Sequence, residues 1–167
     1  LWVEVPEFEF QVRIVPIEGG ASPQIVHRSK NYLFVKGWTP NNEKLLVTRS
    51  LDDGTWQIAM LSVKGGEIDQ LKTFSWSQIG ASLSADGRYV AYAVSDGGTD
   101  WDTWHVREVD TGRDLPDRIG DTKFTGVSWL PDASAFYYSR YPKGADGKGD
   151  DQQPVSVYRH RTGSAQA

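Results

Sequence analysis

A serine nucleophile needs a sharp strand-to-helix elbow, written G-x-S-x-G, that lifts its hydroxyl clear of the sheet. The nearest approach in this chain is Gly80-Ala81-Ser82-Leu83-Ser84. It lacks the second glycine, reads as a strand, and no helical pattern follows it. Three histidines are available as bases or ligands: His27, His105 and His160. None has a second ligand-type residue at i+2 or i+4, so each reads as a surface or internally satisfied strand residue. The carboxylates gather at Asp52-Asp53, at Asp96 with Asp100 and Asp102, and at Asp146 with Asp150 and Asp151. A calcium loop needs alternating oxygens closed by a distal bidentate Glu, which "DGGTDWD" does not have, so that stretch reads as a solvated turn. Gly65-Gly66 and Gly97-Gly98 are turn glycines, and no phosphate-cradling glycine motif occurs. With no cysteine, disulfides, thiolate metal sites and cysteine nucleophiles are excluded. These residues predict no catalytic group, no metal and no cofactor.

The totals narrow the partners. A net charge of −4 over 167 residues offers no basic footprint for nucleic acid and no polybasic patch for a membrane surface. No run approaches the roughly 20 apolar residues of a membrane-spanning helix. The N-terminus, "LWVEVPEFEF", lacks a basic leader pattern and an initiator Met. It predicts a soluble chain that is processed or cut from something longer. Seven Trp, seven Tyr and six Phe beside seventeen Gly point to aromatic strands and many turns. The best helical stretch, "NNEKLLVTRSL", is short, β-branched and flanked by turn signals.

Those turns recur at a fixed interval. The glycines that close "IEGG", "VKGG", "VDTG" and "HRTG" are Gly20, Gly66, Gly112 and Gly163, spaced 46, 46 and 51 residues apart. An independent marker, the apolar anchor of each first strand, falls at Trp38, Leu83 and Trp129, spaced 45 and 46. Each unit opens with a strand such as "IGASLSA" and turns at Asn41-Asn42, Asp86-Gly87 or Asp132-Ala133. Those residue types tolerate left-handed backbone angles. A second strand, a polar loop and an alternating third strand follow, then a short polar outer strand that blunts the sheet edge. A β-sandwich has strands as frequent but no reason to repeat its turns at one period. The pattern predicts an all-β fold, a partial β-propeller built from four-stranded antiparallel blades.

Three segments carry a more specific signal: "GRYVAYAVSDGGTDWDTWHVREVDTGRDLPD", "TKFTGVSWLPDASAFYYSRYP" and "VSVYRHRTGSAQA". In order and spacing, residues 79–166 resemble the β-propeller domain of the prolyl oligopeptidase family, with "KGADGKGDDQQ" where that family has a variable loop. Residues 32–74 resemble the generic repeat of Tol-system and dipeptidyl-peptidase-like propellers. The two halves therefore belong to one divergent protein or are a chimeric splice. In the prolyl oligopeptidase family the propeller is a lid over an α/β-hydrolase domain and admits only short peptides. The resemblance places Phe124 where the family's Phe lines a substrate subsite. It places Asp100 where the family's Asp faces the hydrolase domain. Read from the residues alone, Phe124 is equally a core aromatic at a strand end and Asp100 a loop-capping carboxylate.

The strand count is about fourteen, or three and a half blades. The expected divisions are 1–30 (a partial blade), 31–76, 77–122, and 123–167 without an outer strand. An open arc leaves two blade faces bare, so it belongs to something larger or assembles with itself. Two such arcs make seven blades, the count of prolyl oligopeptidase propellers. The expected partner is a second copy, most simply in a dimer. Trp38, Leu83 and Trp129 would pack between blades, and the strand around Trp2 would complete a neighbour's last blade. Three functions stay open: a non-catalytic, self-assembling structural segment, natural or engineered; the lid of a hydrolase; and a propeller that binds a peptide or small ligand. In the third, Trp38, Trp76 and Trp129 would line the channel.

Overall fold

A computed structural model of the chain describes residues 8–75, 80–95, 97 and 99–166. Its strands run in chain order through four antiparallel sheets. The first holds β1 (Phe10–Ile14) and β2 (Gln24–Ser29). The second holds β3 (Leu33–Trp38), β4 (Lys44–Ser50), β5 (Trp56–Ser62) and β6 (Ile68–Phe74). The third holds β7 (Ala81–Leu83), β8 (Tyr89–Ser95), β9 (Trp101–Glu108) and β10 (Asp114–Lys123). The fourth holds β11 (Val127–Trp129), β12 (Ala135–Arg140) and β13 (Ser156–Arg161). Each sheet pairs only neighbours in sequence, and β3 lies against β7, as successive blades of a propeller do. The chain is a partial β-propeller, as its repeat predicts. No helix among the described residues is long and apolar enough to cross a membrane.

The core sits between the sheets. Alternate residues of a strand face opposite sides, so a blade covered on both sides needs apolar residues at consecutive positions. In β4, Leu45 and Val47 pack with Val12 of the first sheet, while Leu46 packs with Val90 and Tyr92 of the third. In β8, Ala91 and Ala93 face the other way and pack with Phe136 and Tyr138 of the fourth.

The repeated turns are locked by the expected chemistry. Asn42, Gly87 and Ala133, at equivalent places, all have positive φ, at 56°, 78° and 55°. Beside each, a carboxylate or amide oxygen (Asn41, Asp86, Asp132) accepts from the backbone N–H two residues on. The glycines that close the third strands, Gly66, Gly112 and Gly163, are also left-handed. At Gly66 a Cβ would meet the Val26 carbonyl oxygen at 2.5 Å, so glycine also permits close approach of the first sheet.

Two expectations are corrected. The outer strand of the third sheet is not short. β10 runs for ten residues, with register shifts between Asp114 and Arg118 and between Ile119 and Thr122. Its polar residues hide it from a hydropathy pattern, yet Asp117 and Thr122 are buried and bonded. Trp38 is not a buried blade-to-blade residue, because 45% of it is exposed. It pairs with Leu45 and shares that residue's face, toward β1 and β2, but those two strands cover Leu45 and leave Trp38 open. Leu83 and Trp129 do pack between sheets. Leu83 joins the cluster of Leu46 and Ile58. Trp129 donates its indole N–H to the Ser82 carbonyl at 3.3 Å and packs edge-on against Phe136. Trp2 and Trp76 lie outside the described residues.

Candidate functional site

The histidines and Ser82 are absorbed by the fold. His27 Nδ1 lies 3.1 Å from the Gly66 carbonyl. His105 stacks on Tyr92, and burial, with Lys72 and Arg118 nearby, holds its pKa below the usual imidazole value. His160 is buried, with Nε2 2.8 Å from Asp117 Oδ1. Ser82 sits on β7 with its carbonyl engaged by Trp129. No cluster of three or more metal-ligating side chains occurs among the described residues.

Phe124 and Asp100 are a different case, because the fold brings them together. Lys123 ends β10 and pairs in register with Trp101 at the start of β9. This sets Asp100, just before Trp101, beside Phe124, just after Lys123. The Lys123 ammonium lies 2.9 Å from Asp151 and 3.7 Å from Asp100. It also lies over the Trp101 ring at 5.6 Å and the Phe124 ring at 5.3 Å. The hydrogen bond to Asp151 raises the pKa of Lys123, so the ammonium is the charged hub of the cluster. Phe124 itself has φ of 51° and is 79% exposed. A left-handed backbone is unfavourable for a bulky residue, and water contact adds no burial energy. The ring is thus displayed at the blade end, not packed as a core aromatic. Asp100 is an exposed ion-pair partner of Lys123 and not a loop cap.

The neighbouring loop completes the site. Tyr141 meets Trp101 edge-on at 5.6 Å, and its backbone N–H donates to the Asp121 carbonyl. Gly149 lies against the Trp101 ring so closely that a Cβ would approach Cζ3 to 2.6 Å. Asp102 points to a less favourable place, where burial and the charge of Asp100 push its carboxyl pKa up. Lys123, Trp101, Tyr141 and Asp151 are absent from the sequence-derived site. For Trp101 and Lys123 the sequence signal is adjacency to Asp100 and Phe124, and for Asp151 its place in an acidic cluster; Tyr141 has none, because the meeting depends on the β9–β10 register and on the 141–152 loop.

Chemically, this end of the blade offers an aromatic surface and fixed charges but, among the described residues, no nucleophile poised beside a base. Residues 70–167 match the model of a family described as "Prolyl oligopeptidase, N-terminal beta-propeller domain". The prolyl endopeptidase of Elizabethkingia miricola is 35% identical over 88 residues, which cover 52% of this chain and 12% of that protein. Prolyl oligopeptidase ophP of Omphalotus olearius is 39% identical over 101 residues, covering 52% and 13%. The chain therefore spans about an eighth of the length of these curated relatives. Among solved structures, TolB from Acinetobacter baumannii superposes with a TM-score of 0.68 at 20% identity, covering 92% of this chain and 36% of that one. A prolyl endopeptidase superposes with a TM-score of 0.67 at 23% identity, covering 81% and 21%. At these identities the structural likeness speaks for the fold.

Proposed function

Since the chain belongs to the prolyl oligopeptidase N-terminal β-propeller family, we propose that it is a non-catalytic propeller segment that walls the approach to a serine-peptidase active site. In this reading Phe124 offers its ring to a peptide passing that end of the blades. The observation that carries it is the exposed, left-handed Phe124, held against Lys123 at 5.3 Å. Asp100 and Asp151 fix Lys123 in turn, and Asp100, exposed at the same end, meets the hydrolase domain. Titrating the chain with a short proline-containing peptide, followed by NMR of the aromatic side chains, tests this. The Phe124 ring signals should shift, and Phe124→Ala should weaken binding about threefold to tenfold, the value of one partly buried aromatic contact. Equal affinity for the two proteins would overturn it.

A second reading has its own observation. The outward face of the fourth sheet exposes Tyr137 and Val157, at 43% and 70%. This favours ring closure by a second copy of the chain.

A further inference from the structure

Beside the Phe124 cluster, a cleft of about 450 Å³ opens at the end of the fourth sheet, lined by Arg140, Tyr141, Pro142, Lys143, Tyr158 and Gln166. Two of these residues are cationic and none is acidic, in a chain whose acidic residues outnumber its basic ones by 22 to 18. We propose that this cleft is a carboxylate subsite, which takes the chain-terminal carboxylate or an acidic side chain of a bound peptide.

The argument starts from Arg140. It ends β12, two residues after Tyr138, and so shares the face that Tyr138 turns to Ile119 of β10. Arg49 holds the equivalent place on β4, and there the guanidinium donates twice to the Gln57 side-chain oxygen, at 3.1 and 2.9 Å. In the fourth sheet the cross-strand partner of Arg140 is Ser156, and no described side chain accepts from the guanidinium. Instead the guanidinium carbon lies over the Tyr158 ring, 4.2 Å from its centroid. That contact holds the group over the ring while no described side chain takes up its N–H donors, an arrangement that suits a carboxylate. Lys143 adds a second charge from a fixed backbone, since it bridges to Gly149 across a hairpin closed by the Asp150 N–H to the Pro142 carbonyl. Lys143 has no ion pair among the described residues.

The rest of the lining is held in place. The Gln166 side-chain oxygen accepts from the Gly120 N–H at 3.0 Å, which anchors that wall to β10. Tyr141 lines the cleft with one side and meets Trp101 of the Phe124 cluster with the other. Thr125, next to Phe124, accepts through its hydroxyl from the Ser139 N–H, next to Arg140. The two sites are thus adjoining parts of one surface, with an apolar contact at Phe124 and an anionic one at Arg140.

The choice of a peptide as ligand rests on the wall reading; the charge preference does not. The probe is an N-acetylated Gly-Pro-Phe peptide, compared as free acid and C-terminal amide by NMR titration at low salt. The free acid should bind about tenfold more tightly than the amide, and the difference should shrink with added salt. Arg140→Gln, checked for unchanged melting, should remove most of that ratio, and Arg140→Lys should restore part of it. Lys143→Gln, in an exposed hairpin, should lower the ratio about threefold and serves if Arg140→Gln melts early. Equal binding of acid and amide, no binding of either at millimolar peptide, or a ratio unmoved by both neutralising variants would overturn the proposal. Phe124→Ala separates the two ideas. If it leaves affinity unchanged while the acid-to-amide ratio persists, the wall reading fails and the carboxylate subsite stands.

Discussion

Trp38 and Trp129 occupy the same place in the repeat, and their surroundings decide what each contributes. Trp129 has Phe136 at 4.9 Å, Tyr89 stacked at 6.3 Å and a hydrogen bond to the preceding sheet. Trp129→Ala should cost about 3–5 kcal/mol in chemical denaturation, the usual range for a packed Trp. Trp38 is nearly half exposed, so Trp38→Ala should cost only about 1 kcal/mol. Similar large losses at both would mean that the face carrying Trp38 is covered in solution. The sequence identified the shared position, because the 45–46-residue spacing is a property of the repeat. It did not show which position is covered, because cover comes from another sheet and not from the residue itself. Phe124 and Asp100 are similar. Resemblance located them, but their joining through Lys123 follows from a strand register that no residue type announces.

At the scale of elements, the second strands were legible because burial on both faces writes consecutive apolar residues, as in Leu45-Leu46-Val47. For β10 the strand was legible but its ten-residue length was not, because it is stitched to its neighbours by polar groups. One stitch has a pH signature. Lys72 of β6 bonds Asp114 of β10 at 2.5 Å and the Tyr92 hydroxyl at 2.8 Å, and Arg107 bonds Asp114 at 2.7 Å. Burial pushes the Asp114 pKa up, but the hydrogen bonds from Lys72 and Arg107 outweigh it and leave it lowered. Burial likewise pushes Lys72 down, and the bonds to Asp114 and Tyr92 outweigh it, leaving it raised. A lowered carboxylate adds stability above its unfolded pKa and loses it as pH falls through the folded value. A raised lysine adds stability below its unfolded pKa and loses it as pH rises through the folded value. The stitch between the second and third sheets should hold across the neutral range. Lys72→Met should destabilise by about 1 kcal/mol at pH 7, since the pair is partly solvated. The deficit should shrink as pH drops below the ordinary carboxylate range. A deficit independent of pH down to about 2 would show that Lys72 acts by packing alone.

Over the whole molecule, the fourth sheet differs from those before it. At the positions of Tyr137, Ser139, Val157 and Arg159, the second sheet has Leu46, Thr48, Ile58 and Met60, all buried by the third. The third sheet has Ala91, Ala93, Trp104 and Val106 there, all buried by the fourth. Among the described residues the fourth sheet's own face has no such cover, and a shallow depression of about 340 Å³ runs along it past Ser128, Tyr137 and Val157. A blade face is about the size of a specific protein interface once both sides are counted, over roughly 1,000 Å². Under the ring-closing reading, a second copy covers this face, and stability then depends on concentration. Sedimentation equilibrium should show a dimer at micromolar chain, and the melting temperature should rise across a hundredfold range of concentration. Val157→Lys places a charge on the face without touching a core cluster, so it should shift the equilibrium toward monomer and flatten that rise. The moderate polarity of the face, with its serines and Arg159, fits an interface that exchanges rather than one that never opens. A chain that stays monomeric to about 100 μM, with a melting temperature independent of concentration, would defeat the ring-closing reading. The Phe124 surface would stand untouched by that result, since it lies at the blade ends and not on this face.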